Sequence, residues 1–174
     1  MSTLEVNTIN PQSGSTITLG SSGNTVALGS GVTAGFGKIG QVIWGRTETA
    51  LTTTSTTYSD LISLNITPSS TSSKILLMGT VPIRKIDPSP PTDNAAGLRF
   101  EKDGSALEEW GRYIAWDNNT QQYIQQTGAM NYLDSPSTTS QINYKLQVRS
   151  MVGGSIQACH DLSNASFTLM EVLA

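Results

Sequence analysis

"LRFEKDGSALEEW", residues 98 to 110, carries apolar and aromatic residues on both sides of the dipeptide Asp103-Gly104. An Asp-Gly pair belongs where the backbone needs positive φ, because glycine has no Cβ and aspartate tolerates the left-handed region. The stretch therefore predicts a β-hairpin turning at 103 and 104.

The neighbouring segments extend this pattern in both directions. Upstream, "KIGQVIWGRTET" (38 to 49) predicts a strand, and "TTTSTTYSDLISLNITPSS" (52 to 70) a polar approach into a strand over Leu61 to Ile66. There Ile62, Leu64 and Ile66 alternate with Ser63 and Asn65, the period of a sheet with one wet face. "KILLMGTVPI" (74 to 83) predicts a strongly buried strand, and "RKIDPSPPTDNAAG" (84 to 97), with Pro88, Pro90 and Pro91, a loop. Downstream come strands at "YIAW" (113 to 116) and "QYIQQTGAMNYL" (122 to 133), then a turn at "DSPSTTS". Strands at "INYKLQVRSM", "SIQACH" and "SFTLMEVLA" complete the chain, with a tight Gly153-Gly154 between the first two. Eight to ten short strands separated by turn signals predict an all-β antiparallel sandwich, jelly-roll-like, over residues 36–174.

Composition agrees with strands and turns. Of 174 residues, 37% are hydrophobic, 13% are charged and 16 are glycine, while Ser and Thr together make up roughly a quarter. Thr suits a half-buried pleated surface, and Ser and Gly supply turns. Ten basic against thirteen acidic residues leave a net charge of −3 with no basic cluster, so no nucleic acid is expected as a partner. No signal peptide and no apolar run of spanning length is present, so synthesis in a host cytoplasm and no membrane insertion are expected. The lone Cys159 excludes an intrachain disulfide framework and is expected as a small buried residue in a late strand.

Residues 1–35 have a different character. "SGSTITLGSSGNTVALGSGV" (13 to 32) repeats a short apolar strand closed by glycine, and "GSGVTAGFGK" (29 to 38) is a glycine-rich hinge. Leu4, Val6, Ile9, Ile17, Leu19, Val26 and Leu28 supply one or two apolar side chains per strand, too few for a core within the arm. Short strands with a period near nine residues stack in β-helical shafts and intertwined fibres, and two copies do not stand alone. The arm is therefore expected to bury these residues against a partner chain or a docking surface. A flexible Gly/Ser tail is the alternative, against which the Thr-Ile-Thr-Leu alternation speaks.

No catalytic signature emerges. His160, Asp161 and Ser163 lie within four residues, too close along one strand end to form a relay. Glu108, Glu109, Asp117 and Asp134 are the carboxylates available for glycoside hydrolysis, without accompanying aromatic subsites. "GSGVTAGFGK" lacks the Gly-Lys-Ser/Thr ending of a phosphate-binding loop. "DNNTQQYIQQTG" lacks the central glycine and terminal glutamate of a calcium loop. No enzyme activity, cofactor or metal is expected. "EEWGRYIAWDNNTQQY" (108 to 123) does place aromatic residues beside amides, as a sugar-binding patch would: Trp116, Asp117, Asn118, Asn119 and Tyr123. The other reading puts Trp110 and Ile114 in the core and leaves "DNNT" as a plain turn.

"STLEVNTI" (2 to 9), "GKIGQVI" (37 to 43), "TTTSTTYSDL" (52 to 61), "ITPSSTSSKILL" (66 to 77), "YLDSPSTTSQINYKLQV" (132 to 148) and "SFTLMEV" (166 to 172) together resemble a group of tail-fibre-like and head-decoration virion proteins of tailed bacteriophages, frequent in phages of aquatic bacteria including cyanophages. The resemblance implies an N-terminal arm or shaft attached to the particle and a C-terminal β-sandwich knob facing solvent, as a homotrimer. The first expectation is a homotrimeric capsid decoration or cement protein on the outer surface of the virion, held to the major capsid protein or another virion protein by its arm. The second is a tail-fibre or head-fibre adhesin that binds host-surface glycan.

Overall fold

The computed structural model describes residues 39–85, 94–117, 124–161 and 163–173. Ten strands form, and there is no helix among the described residues: β1 Ile39–Thr47, β2 Leu51–Thr53, β3 Ser59–Ile66, β4 Lys74–Lys85, β5 Asn94–Lys102, β6 Ser105–Asp117, β7 Gln125–Asp134, β8 Ile142–Ser150, β9 Ile156–Ala158 and β10 Ala165–Val172. The arm and its expected boundary after residue 35 lie outside the described residues.

The Asp-Gly hairpin forms as the sequence predicts. Asp103 has φ 47° and Gly104 φ 85°, and Lys102 pairs with Ser105 across the two-residue turn. From this tip the chain pairs outward as one nested hairpin: β5 with β6, β4 with β7, β3 with β8, and β1 and β2 with β10 and β9, all antiparallel. Folded over, the nest becomes two sheets. In the first, β10 lies along Lys74–Thr80 of one edge of β4 and β9 along Ile83–Lys85, while β7 lines the other edge. β1 and β2 flank β10 and β9 on the outside. The second sheet runs β3-β8-β5-β6. Two four-wide sheets in this order are a jelly roll, an antiparallel sandwich of two Greek keys.

Alternation along the strands builds the core. Ile75, Leu77, Val81 and Ile83 of β4 and Phe167 and Leu169 of β10 face Leu98 and Phe100 of β5 and Tyr144, Leu146 and Val148 of β8, all fully buried. Phe100 and Phe167 stack across the two sheets with centroids 5.3 Å apart and planes 16° from parallel. The sheets approach closely at Gly79, where a Cβ would meet both δ-carbons of Leu146 and Cε1 of Phe100 at 3.2 Å. Each large apolar side chain so buried contributes about 1.5–3 kcal/mol relative to exposure.

Five details differ from the sequence reading. The loop expected over 84–97 is strand at both ends, with Arg84 and Lys85 in β4 and residues 94–97 in β5, because their pairing with β9 and β8 extends the sheets into it. β2 forms inside the polar stretch after residue 50, where Leu51 gives a short strand enough apolar contact to pair with β9. "YIAW" is no separate strand but the end of the 13-residue β6. Cys159 is buried, yet it lies just past β9 with φ 56° and donates its backbone N–H to the carbonyl of Pro82, 3.0 Å away. β4 is buried on one face only, with Leu76 and Met78 partly exposed on the other.

Gly79→Val should lower stability by about 2 kcal/mol, since the added methyls have no space to enter without separating the sheets. Urea denaturation with an unchanged m-value checks this, and an unshifted midpoint would show that Leu146 and Phe100 yield freely.

Candidate functional site

Strand register assigns the loops to the two ends of the sandwich. Ile39, Val172 and Lys74 are neighbours at one end, together with loops 67–73 and 135–141 and the 103–104 turn. β4 and β6 finish at the opposite end, where the described segments 54–58 and 151–155 also lie. β4, twelve residues long, separates the ends by about 40 Å. The chain thus enters the jelly roll at one end, and β6 delivers Trp116 and Asp117 to the other, where Asp117 pairs with Asn94.

At the first end a buried carboxylate fixes β1. Glu171 of β10, 1% exposed, accepts hydrogen bonds from the backbone N–H and the hydroxyl of Ser69 at 2.6 Å each and from Nε2 of Gln41 at 2.7 Å. The same Gln41 amide donates to the carbonyl of Thr67 at 2.7 Å. Gly40 permits the close approach, because a Cβ there would meet Oε2 of Glu171 at 2.9 Å and Cδ2 of Leu173 at 2.8 Å. Burial pushes the Glu171 carboxyl up, but the hydrogen bonds from Ser69 and Gln41 more than reverse this and leave its pKa at about 2. The first turn of chain inside the body is thereby tied to both β10 and the β3–β4 loop.

The two outer faces of the sandwich differ in chemistry. On β3-β8-β5-β6, Lys145 Nζ meets Asp60 at 2.9 Å and Glu101 at 3.4 Å. Gln147 donates to Asp60 at 2.5 Å and to Glu101 at 2.7 Å and accepts from Arg99 Nε at 2.6 Å. Arg149 meets Glu109 at 3.5 Å, and the guanidinium groups of Arg99 and Arg149 flank the Tyr58 ring at 4.2 and 4.7 Å. Most of these groups pair with one another in a polar lattice, with Arg149 Nε and the Tyr58 hydroxyl buried without a hydrogen-bond partner. The outer face of β1-β10-β4-β7 carries Val42, Trp44, Leu76, Met78, Leu133 and Met170, the first two and Leu133 clearly exposed. Sequence reasoning missed this face; its signal was the unbroken apolar run Ile75 to Met78, which alternation around a single core does not require.

Of the residues expected to act, Leu4, Val6, Ile9, Ile17, Leu19, Val26 and Leu28 of the arm and Asn118, Asn119 and Tyr123 of the glycan patch lie outside the described residues. Trp116 and Asp117 are placed by their backbone at the end of β6. Among carboxylates, Glu109 pairs with Arg149 on the outer polar face, whereas Asp134 points inward, 2.8 Å from Lys102 Nζ and 2.5 Å from the Tyr144 hydroxyl that donates to it. These two do not face each other across a cleft. Nδ1 of His160 is 3.4 Å from Asp161, and Ser163 donates its hydroxyl to the His160 backbone carbonyl instead of the ring. The three are not arranged as a relay. Burial pushes the Cys159 thiol up, away from the thiolate form that a nucleophile needs. Among the described residues no three His, Cys, Asp or Glu gather as a metal site.

No protein-family model matches the chain, and no curated protein matches it either. Solved structures that are similar include infectious bursal disease virus of the Gx strain (14% identity, TM-score 0.41) and of the Gt strain (13%, TM-score 0.43), each covering 87% of this chain and 42% of that one. The EclA C-terminal domain, a sugar-binding protein, is similar at 13% identity and TM-score 0.28, over 70% of this chain and 76% of that one. The chain spans about two-fifths of the bursal disease virus chains it matches. At such low identities and scores it is the sheet order that defines the class: an antiparallel jelly-roll β-sandwich.

Glu171 makes a pH prediction. Its folded pKa of about 2 lies below the ordinary 4.5, so its contribution to stability is fully present above about 4.5 and is lost as pH falls toward 2. Thermal melts of the wild type and of Glu171→Gln should differ by a stability gap of about 2–4 kcal/mol at pH 7 that narrows below pH 4.5. A gap independent of pH from 7 to 2.5 would contradict the assignment.

Proposed function

We propose that the chain is a structural protein of a tailed-phage virion: a homotrimeric capsid decoration protein, gripping the shell or another virion protein with residues 1–35 and carrying the jelly roll outward. The observation that carries this reading is the separation of ends. The chain enters β1 beside the Glu171 anchor, about 40 Å along β4 from the end where β6 finishes. Attachment through the arm would leave the far loops facing solvent. The segments resembling phage virion proteins, from "STLEVNTI" to "SFTLMEV", support the same reading. So does the chemistry of the described residues, which pair their charges with one another and assemble no relay. The arm residues Leu4, Val6, Ile9, Ile17, Leu19, Val26 and Leu28 are the proposed contacts, each worth about 1.5–3 kcal/mol when fully buried.

The second reading is an adhesin in which Trp116, Asp117, Asn118, Asn119 and Tyr123 bind host-surface glycan. The placement of Trp116 and Asp117 at the end remote from Ile39 favours it, since a receptor-facing site belongs at the tip.

A chain lacking residues 1–35 should keep the far-UV circular dichroism of a β-sandwich and lose association with particles; decoration by the truncated chain would sink the attachment role. Quantitative mass spectrometry against the major capsid protein should return hundreds of copies per virion. A few tens at most would instead indicate a vertex or tail position, because only the icosahedral shell offers hundreds of equivalent sites. In that case Trp116→Ala should reduce adsorption or glycan binding by about tenfold while the fold is retained.

A further inference from the structure

We infer that the outer face of β1-β10-β4-β7 is the surface through which copies of this chain meet. The inference rests on the proposed homotrimer and assigns its contact. Strand register aligns three rows across the face: Val42, Met170, Leu76 and Leu133; then Trp44, Thr168, Met78 and Asn131; then Arg46, Ser166, Thr80 and Ala129. The first row is apolar across all four strands. Val42 is 52% exposed, Trp44 59% and Leu133 48%. The first two rows carry no charged side chain; in the third, Arg46 pairs with Glu48 at 3.2 Å and Thr80 shares a hydrogen bond with Ser166 at 2.7 Å. A shallow depression of about 420 Å³, lined by Met78, Thr80, Ala129, Asn131, Ser166 and Thr168, marks its centre.

A solvated sheet face is ordinarily polar. The opposite sheet shows what this chain does with such a face, spending Asp60, Arg99, Glu101, Glu109, Lys145 and Arg149 on a paired lattice. The apolar face has the composition of a surface removed from water.

Two observations select a second copy as the occupant. A face without charge in its middle does not repel itself and gives a partner recognised by charge nothing to grip. The footprint, four strands at about 4.8 Å by seven residues at about 3.3 Å, is roughly 440 Å² per copy or about 880 Å² over both, short of the roughly 1,200 Å² of standard interfaces, so the contact needs reinforcement from elsewhere in the chain. Continuity supplies it and is the second observation. β1 brings Val42 and Trp44 to this face, and it is the strand into which residues 1–38 lead, whose Ile17, Leu19, Val26 and Leu28 are expected to need a partner chain or a docking surface. Copies joined beside β1 bring their arms together where those residues need partners.

The test is sedimentation velocity of the full chain and of two single variants, Trp44→Glu and Leu133→Glu. Both positions are exposed in the single chain, so its fold should tolerate the change. The expected result is an assembled wild type and variants that sediment as single chains with unchanged circular dichroism, association being weakened at least about thirtyfold. A single-chain wild type at micromolar concentration would overturn the homotrimer itself. An assembled wild type with both variants still assembled would overturn the assignment of this face and leave the homotrimer standing. Should the variants fail to fold, hydrogen peroxide oxidation of the wild type decides: Met78 and Met170 should form sulfoxide about tenfold more slowly than Met151 at the far end, and equal rates would overturn the inference.

Discussion

The tip of the β5–β6 hairpin is the constraint from which pairing starts: side chains alternate with a period of two, so the turn sets which residues of Ser105 onward oppose β5, before β6 shifts register against β5 three times along its length. The turn has no freedom to slip. Asp103 and Gly104 both take positive φ, and Oε1 of Glu101 accepts the Gly104 N–H at 3.2 Å. A third strand then holds the tip: the N–H of Asp103 donates to the carbonyl of Asn143 at 3.0 Å, and the N–H of Asn143 donates to Oδ1 of Asp103 at 2.9 Å. Through β5 and β8 this register passes to β3, while β4, β7 and β10 keep their own register in the other sheet. Gly79 lies opposite Leu146 and Phe100, where the close sheet approach needs it, only because both sheets hold their registers.

Two buried polar clusters complement the apolar core at the end where the chain enters. Asp134 of β7 receives hydrogen bonds from Lys102 of β5 and Tyr144 of β8, so it links one sheet to the other. Burial and the adjacent Asp134 push the Tyr144 phenol far up, which keeps it a donor at any working pH. Glu171 does the corresponding work for β1 and the β3–β4 loop. A carboxylate left without such donors in the interior would be strongly unfavourable, so these clusters specify one arrangement of loops more than they add stability. Their position matters for the proposed function: tension applied through residues 1–38 reaches β1 first, and Gln41 ties β1 to Glu171.

How much was legible in the sequence follows from the kind of signal each element carries. Asp103-Gly104 is a local signal with one good solution, and Ile62, Leu64 and Ile66 announce an inward face by period alone, so the hairpin, β3 and the sandwich class could be read directly. β2 could not, because a three-residue strand owes its existence to pairing between Leu51 and Ala158, more than a hundred positions apart. The positive φ of Cys159 and Asp161 is likewise a tertiary outcome of the crossing from β9 to β10. The candidate site divides in the same way. The absence of a relay among His160, Asp161 and Ser163 was readable from crowding, whereas the apolar outer face was hidden, since Val42, Leu76, Leu133 and Met170 are scattered over the chain and become one row only through register.

The contrast between the two outer faces bears directly on how such a domain would be used. A jelly roll closes its core with the inner faces alone, so the outer faces are free to be set by surroundings. On β3-β8-β5-β6 the charges are mutually paired at distances from 2.5 to 3.9 Å, and a ligand would have to break those contacts before making its own. On β1-β10-β4-β7 nothing has to be broken: covering Val42, Trp44 and Leu133 removes apolar area from water at about 25 cal/mol per Å² without stripping a charge. Under the proposed assembly that asymmetry would make association directional, with one face turned toward other protein and the other toward solvent. Since β1 belongs to the apolar face and begins at the end opposite the one where β4 and β6 finish, association there would leave that far end uncovered.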